Sequence, residues 1–252
     1  MVSTQTRPEI GTAAWAALYR AGGAAALLAG LIFRRNLGAE VSLFFHGGAQ
    51  PATVAEWYAL FQRSPLTGLA YLDFFDLVDY LLVGLAFLAL GAALWKTSRS
   101  AVAVALACGG VGIAANIAGN TSFAMLSLSQ RAAAAASEAQ RAMLLAAGQA
   151  VLALNDPQSI FQGMGDTAGY LLLATAALIF SLLMLRGQSF SRWAAILGIL
   201  SSACDLAYCA TFAFAPFLRA YLLSAGGLFV TIWHILVGLR LLRLSRSRGV
   251  EP

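Results

Sequence analysis

The sequence predicts an all-α protein: a polytopic transmembrane helix bundle of about six spans, with one or two interfacial or lid helices in its long outer loops. The 252 residues are 60% hydrophobic and only 11% charged, and the mean hydropathy is +0.77. Apolar runs rich in Ala, Leu and Gly recur at lengths that cross a hydrocarbon core of about 30 Å. The short alternating segments of a membrane β-barrel are missing, so an α-helical bundle is the expected architecture.

A single integral membrane domain is expected over residues 1–252, because six spans and their loops use the whole chain. The first apolar run follows one basic residue, Arg7, and itself contains Arg20. Both features are atypical of a cleaved signal peptide, so we interpret this run as a retained helix. The predicted spans are 12–33, 73–95, 101–126, 167–185, 193–215 and 221–243.

The positions of Lys and Arg predict the orientation. The short connections 96–100 and 186–192 are basic, whereas the long connections 34–72 and 127–166 mix acidic and basic residues. By the positive-inside rule, both termini are expected in the cytoplasm. The net charge of +5 then faces anionic lipid headgroups, and no nucleic-acid partner is expected.

Both long connections are expected to contain a helix. In the first, residues 52–62 carry apolar side chains at positions i, i+3, i+4 and i+7, which indicates a helix on the membrane surface or capping the bundle. These side chains are Val54, Trp57, Tyr58 and Phe61. In the second, Ser137 precedes an apolar run to Leu154 that is too short to span comfortably. We interpret it as a re-entrant or lid helix, with a seventh span as the alternative.

Three ionisable residues lie inside predicted spans, where such groups usually face a partner or a water-filled cavity. Counted from the inner helix ends, Arg20 lies roughly 12 Å deep, Asp205 roughly 18 Å and His234 roughly 13 Å. We therefore predict a buried Arg20–Asp205 ion pair, with His234 donating to the carboxylate or lining the same cavity. The alternatives are a pin that fixes helix register, or an Arg20 that snorkels to the inner interface.

A second polar group is the acidic row Asp73, Asp76 and Asp79 at the start of the second span. Their spacing of three places neighbouring carboxylates within side-chain reach on one helix face. Ionising all three carboxylates at this distance is unfavourable, because like charges repel. At least one is therefore expected to hold a proton or to bind a cation or a basic group. Asp73 alternatively caps the helix.

Asn116 and Asn120 on the third span reach a similar outer depth, together with Asp166 before the fourth. These residues predict a polar outer vestibule. The alternative is that the asparagines join helices by hydrogen bonds, as amide side chains do in membranes.

The sequence contains none of the common hydrolase, phosphate-binding or dinucleotide-binding motifs. Its two histidines, His46 and His234, are too few for a histidine-rich diiron site. Three cysteines lie within apolar segments without Cys-x-x-Cys spacing, as packing residues do: Cys108, Cys204 and Cys209. No catalytic residue, metal site or cofactor is therefore predicted.

Three short stretches carry a family resemblance: residues 19–23, residues 73–80, and residues 191–198, which lead into Asp205. They resemble an uncharacterised bacterial family of multi-pass membrane proteins known as domain of unknown function 4386. The likeness spans residues 19–242, although residues 129–147 depart from the pattern. It implies a bacterial inner-membrane bundle and carries no catalytic residues to this chain.

The leading functional interpretation is a multi-pass membrane protein that binds or transports a small or lipid-like molecule in an intramembrane polar pocket. Membrane lipids and such a ligand are the expected partners. The second interpretation is a non-catalytic accessory or scaffold protein that contacts other membrane subunits, and the third is a membrane enzyme acting on a lipid. The pocket candidates are Arg20, Asp205, His234, Asp76, Asp79, Asn116 and Asn120.

Overall fold

The computed structural model describes residues 12–46, 51–72, 74–154 and 164–247, and gives the backbone alone for 12–14, 33–46, 164–166, 212–214, 216 and 247. This part of the chain is helical and contains no strand. The helices are α1 (Thr12–His46), α2 (Val54–Arg63), α3 (Pro65–Tyr71), α4 (Phe74–Leu94), α5 (Arg99–Gly119), α6 (Ser122–Ala133), α7 (Glu138–Leu154), α8 (Met164–Arg186), α9 (Arg192–Phe214) and α10 (Arg219–Ser247).

Six of these helices have the length and composition of membrane spans, which confirms the predicted multi-pass bundle. They are α1, α4, α5 with its continuation α6, α8, α9 and α10. Polar caps fix where several of them begin: the Ser98 hydroxyl accepts from the Ala101 backbone N–H, and the Ser191 hydroxyl accepts from that of Ala194. The basic residues after these caps then mark one end of the bundle.

The spanning helices form a closed ring in the order α1, α4, α5, α8, α9 and α10, with α10 returning to α1. Helix α4 also reaches α8 and α10 across the ring. One apolar core fills the interior, with Phe87, Phe180 and Trp233 among its largest side chains. The ring therefore places four helices, α4, α8, α9 and α10, around a common interior space.

Glycines allow the closest helix contacts. A Cβ on Gly22 would overlap that of Ala89 on α4, and one on Gly23 would lie 3.0 Å from the carbonyl oxygen of Gly238 on α10. Between α5 and α8, a Cβ on Gly112 would lie 2.8 Å from the carbonyl oxygen of Gly169. These contacts bring backbones together, as expected where packing drives helix association in lipid.

The structure differs from the predicted boundaries at two places. Helix α1 runs on to His46, so the first part of the predicted loop 34–72 is helical. Within the third span, helix α5 ends at Gly119, because the Asn120 side chain accepts from the Ser122 backbone N–H and α6 starts anew. With 21 residues, α5 alone is long enough to cross the membrane.

Helices α2, α3, α6 and α7 pack into a unit with its own apolar core, which we call the cap. Trp57, Tyr58 and Phe61 enter this core from α2, as the sequence pattern predicts. The Tyr58 hydroxyl donates to the carbonyl of Leu144 on α7 at 2.8 Å, and the Ser129 hydroxyl of α6 donates to the Tyr58 carbonyl at 3.3 Å. Helix α7 is thus a cap helix, packed on α2 and α6, and is not one of the six spans.

The two ends of the bundle are chemically different. The end opposite the cap, here called the basic end, gathers the chain turns between α4 and α5 and between α8 and α9 with the last turns of α10. Its described basic residues are Lys96, Arg99, Arg186, Arg192, Arg240, Arg243 and Arg246. The cap occupies the other end, beside the start of α4 and the end of α5.

Candidate functional site

A cavity lies inside the ring between α4, α8, α9 and α10. Its volume is about 60 Å³ and its wall is mostly apolar, with aromatic side chains from three of the four helices. Its lining residues are Tyr80, Val83, Phe87, Tyr170, Leu173, Ala174, Ala177, Gly198, Ser201, Ser202, Asp205, Val230, Trp233 and His234. An apolar wall with a few polar groups is typical of a small-molecule site.

One face of α9 forms the polar wall of this cavity. Gly198, Ser201, Ser202 and Asp205 follow one another at i, i+3, i+4 and i+7, so the helix period brings them onto one stripe. The seven residues from Gly198 to Asp205 rise about 10 Å along the helix. The stripe therefore runs along the cavity, with Asp205 nearer to the cap end.

Asp205 is held in place by three helices. Its Oδ1 accepts from the Tyr170 hydroxyl on α8 at 3.2 Å, and its Oδ2 lies 3.5 Å from the Ser201 hydroxyl, which shares its one proton with the Gly226 carbonyl oxygen at 3.2 Å. A Cβ on Gly226 of α10 would lie only 2.7 Å from Oδ1, so the missing side chain makes room for the carboxylate. Both donors are neutral hydroxyl groups, so they orient the carboxylate without balancing its charge.

Two tyrosines and an arginine lie on the cap side of Asp205. The Tyr170 and Tyr208 rings meet edge to face, with centroids 5.6 Å apart. The Arg219 guanidinium lies 5.5 Å from the centroid of the Tyr208 ring and donates to the Tyr208 hydroxyl at 3.4 Å. The aromatic pair thus separates the carboxylate from the arginine at the start of α10.

The other end of the cavity holds His234 and Trp233, which are almost fully buried. His234 Nδ1 lies 3.0 Å from the Val230 carbonyl oxygen. A carbonyl oxygen only accepts, so Nδ1 carries the proton of this hydrogen bond. The His234 and Trp233 rings pack edge to face with centroids 4.9 Å apart, which fixes both side chains.

Asp205 and His234 line the same cavity, but they do not contact each other. Asp205 lies at the level of Gly226, and His234 follows it by eight residues on α10, a rise of about 12 Å. Hydrogen bonds to Tyr170 and Ser201 satisfy the carboxylate in place of the imidazole. The carboxylate therefore does not orient His234 as the acid of a hydrolase triad would.

The predicted buried ion pair between Arg20 and Asp205 is wrong. Arg20 is exposed, on the face of α1 that points away from the bundle. Gly30 of α1 packs beside His234, and Asp205 packs beside Gly226. The ten residues from Arg20 to Gly30 and the eight from Gly226 to His234 together rise about 27 Å, far beyond the reach of an arginine side chain. The count from predicted helix ends put the two residues at similar depths and was therefore wrong, and it carried no information about the face on which Arg20 lies.

Of the acidic row, Asp73 lies outside the described residues, Asp76 is partly buried and Asp79 is only 1% exposed. Oδ1 of Asp79 has no hydrogen-bond partner among the residues that the structure describes. Neither Asp76 nor Asp79 lines the cavity. The row therefore lies beside the site and not in its wall.

Neither asparagine lines the cavity: Asn116 makes its hydrogen bond within α5 and packs against α8, and Asn120 links α5 to the cap. The Asn116 side chain donates to the Gly112 carbonyl at 3.0 Å and packs against Gly169 of α8. The Asn120 side chain donates to the Leu72 carbonyl at 3.4 Å, which ties α5 to the cap. These contacts favour the structural alternative over the vestibule, and the side chain of Asp166 lies outside the described part.

The sequence reasoning did not identify Gly198, Ser202, Tyr170 and Trp233 as site residues. For α9, the helical spacing of small and polar residues before Asp205 was a usable signal. Tyr170 and Trp233 gave no such signal, since a lone aromatic residue in an apolar span is ordinary. Among the described residues, no group of His, Cys, Asp and Glu has the arrangement of a metal site.

No family model, curated protein or solved structure matches the chain.

Proposed function

We propose that this protein binds a small, largely apolar molecule inside the membrane, in the cavity between α4, α8, α9 and α10. The observation that carries the proposal is a carboxylate, Asp205, oriented toward this cavity within a membrane span. Ionisable groups at such depth mark ligand or ion pathways more often than they serve packing. The apolar wall would hold the body of the ligand and Asp205 its polar end.

The chemistry of Asp205 selects the polar end. Its two described hydrogen-bond donors, Tyr170 and Ser201, are neutral, and Arg219 lies beyond Tyr208. A carboxylate in a low-dielectric site is stabilised by a cation that can also donate hydrogen bonds. We therefore expect an amine, with the aromatic rings of Tyr80 and Tyr170 adding cation–π attraction.

The size of the cavity selects the body of the ligand. The cavity has a volume of about 60 Å³ and extends over about 10 Å of helix, so it is narrow. For comparison, a cavity needs about 10–15 Å³ by the same measure to hold one water molecule. A space of this volume is large enough for one unbranched chain, which is the ligand body that we propose. An unbranched alkylamine is the simplest molecule with these properties.

Binding of tritiated octylamine to the protein in lipid nanodiscs tests this proposal. Wild-type protein should bind octylamine saturably above the background of empty nanodiscs. Asp205→Asn should weaken binding by at least about tenfold, which corresponds to about 1.4 kcal/mol. Glu138→Gln, a matched loss of one carboxylate in the exposed cap helix α7, should leave binding unchanged.

A scaffold protein would give the opposite pattern. Asp205→Asn would then lower the thermal stability, and octylamine binding would be absent or equal in the two proteins. Asn keeps an oxygen that can accept from Tyr170, so a ligand-binding role predicts a nearly unchanged melting temperature. Measuring the melting temperature on the same samples separates the two functions.

Three further points belong to the same proposal. We infer that the basic end faces the cytoplasm, which places both termini there, because Lys and Arg gather at that end. The bacterial inner membrane fits this orientation. We also propose a relation to the family called domain of unknown function 4386, which the short motifs in residues 19–23, 73–80 and 191–198 resemble.

A further inference from the structure

Beside the end of the cavity remote from Asp205, two buried polar groups from different helices lie close together: Trp233 lines the cavity, and Ser181 packs next to it against Gly198. Ser181 of α8 is 0% exposed and Trp233 of α10 is 1% exposed. The Ser181 hydroxyl and the Trp233 Nε1–H have no hydrogen-bond partner among the described residues. Leaving a buried donor without an acceptor is unfavourable, so buried polar groups are almost always hydrogen-bonded.

A glycine brings these two groups to one point. A Cβ on Gly198 of α9 would overlap both Ser181 Oγ and Trp233 Nε1. Both atoms therefore pack directly against the Gly198 backbone, at the edge of the cavity that Gly198 and Trp233 line. An indole N–H only donates, and a serine hydroxyl can donate as well. A single acceptor oxygen would satisfy both.

We propose that this point is a second polar subsite of the cavity, which takes a hydrogen-bond acceptor such as a carbonyl oxygen. The inference rests on the proposed function and names its ligand class: an unbranched molecule with an amine at one end and a neutral acceptor at the other. The separation is set by α9, where Gly198 and Asp205 differ by about 10 Å. Helix α10 gives the same length, because Trp233 follows Gly226 by seven residues.

A pair of probes separates the two ends. N-(6-aminohexyl)acetamide carries an ammonium and a carbonyl oxygen about 10 Å apart when extended. Octylamine has a similar length and no acceptor. An amide carbonyl that enters an apolar cavity without a hydrogen-bond donor loses its hydrogen bonds to water, which weakens binding. If the subsite exists, its donors offset this loss, and the wild-type protein should bind the amide probe at least as tightly as octylamine. If it does not exist, octylamine should bind more tightly.

Substitutions then assign the subsite. Trp233→Phe and Ser181→Ala should each weaken the amide probe about tenfold and octylamine less than threefold. Gly198→Ala, which fills the point, should abolish the preference for the amide probe. Trp193→Phe is the matched control, because Trp193 is 72% exposed and lies outside the cavity, and both probes should bind to it as to wild type.

The outcomes distinguish the two proposals. Saturable, Asp205-dependent octylamine binding with no effect of Trp233→Phe on the amide probe overturns the subsite and leaves the proposed function standing. In that case the point holds a structural water only. If neither probe binds saturably, both proposals are overturned. A shorter probe, N-(2-aminoethyl)acetamide, should bind at least tenfold more weakly than the hexyl probe, and equal binding would contradict the separation of about 10 Å.

Discussion

Replacing Arg20 by Gln distinguishes the observed arrangement of charges from the ion pair that the sequence suggests. Arg20 is exposed on α1, and about 27 Å of helix separates its level from that of Asp205. A surface substitution of this kind changes the free energy of unfolding by about 0.5 kcal/mol or less. Removing one member of a buried ion pair would instead cost about 3–5 kcal/mol.

The assay is a double-mutant cycle in detergent micelles. Free energies of unfolding are measured for wild type, Arg20→Gln, Asp205→Asn and the double variant by titration with a denaturing detergent. We expect the two changes to be additive within about 0.5 kcal/mol, as for distant sites. A loss of 3 kcal/mol for Arg20→Gln that the second substitution rescues would refute the geometry and restore the ion pair.

Three further predictions concern packing, the cap and orientation. Gly112→Ala should destabilise the bundle by about 1–3 kcal/mol, because its Cβ would meet the backbone of Gly169. Gly110→Ala on the same helix is the control and should be neutral, because its Cβ would meet nothing within 4 Å. Equal melting temperatures of the two variants would contradict the close α5–α8 contact. Tyr58→Phe should lower the stability of the cap by about 0.5–1.5 kcal/mol, because the hydrogen bond to the Leu144 carbonyl is lost. The rate of proteolysis within α7 measures this loss and should rise. Tyr71→Phe is the control. Burial also raises the pKa of the Tyr58 hydroxyl above its ordinary value of 10.0, so this hydroxyl ionises at a lower pH in the unfolded cap than in the folded cap. The stability of the wild-type cap should therefore be constant below pH 10.0 and fall above it. In Tyr58→Phe it should fall less. In a cysteine-free background, Ser100→Cys at the basic end should react with an impermeant maleimide only from the cytoplasmic side and Ser127→Cys in the cap only from the other; the reverse pattern would overturn the orientation.

The spans and the cap helices could be predicted because each rests on a local pattern. Apolar runs of about 20 residues give the spans, and the spacing of Val54, Trp57, Tyr58 and Phe61 gives an amphipathic helix whatever surrounds it. The break at Asn120 was missed, because it depends on the Asn120 side chain competing for a neighbouring backbone group, within a run that stays apolar.

The site could be predicted only in part. Asp205 and His234 are conspicuous because ionisable groups are rare in lipid, and both line the cavity. The faces of helices are not set by depth, and for this reason Arg20 was assigned to the interior although it points away from it. The ring order of the helices, which brings Tyr170 and Trp233 to Asp205 and Gly198, is tertiary information that an apolar sequence pattern does not contain.

The most direct test of the central claim, binding inside the ring, is photo-crosslinking with an octylamine that carries a terminal diazirine. Adducts on the protein in nanodiscs are mapped by mass spectrometry of peptides. Binding in the cavity predicts adducts on wall residues such as Val83, Leu173 and Val230, and their loss in Asp205→Asn. Adducts confined to exposed positions such as Leu28 and Leu88, equal in both proteins, would contradict the claim.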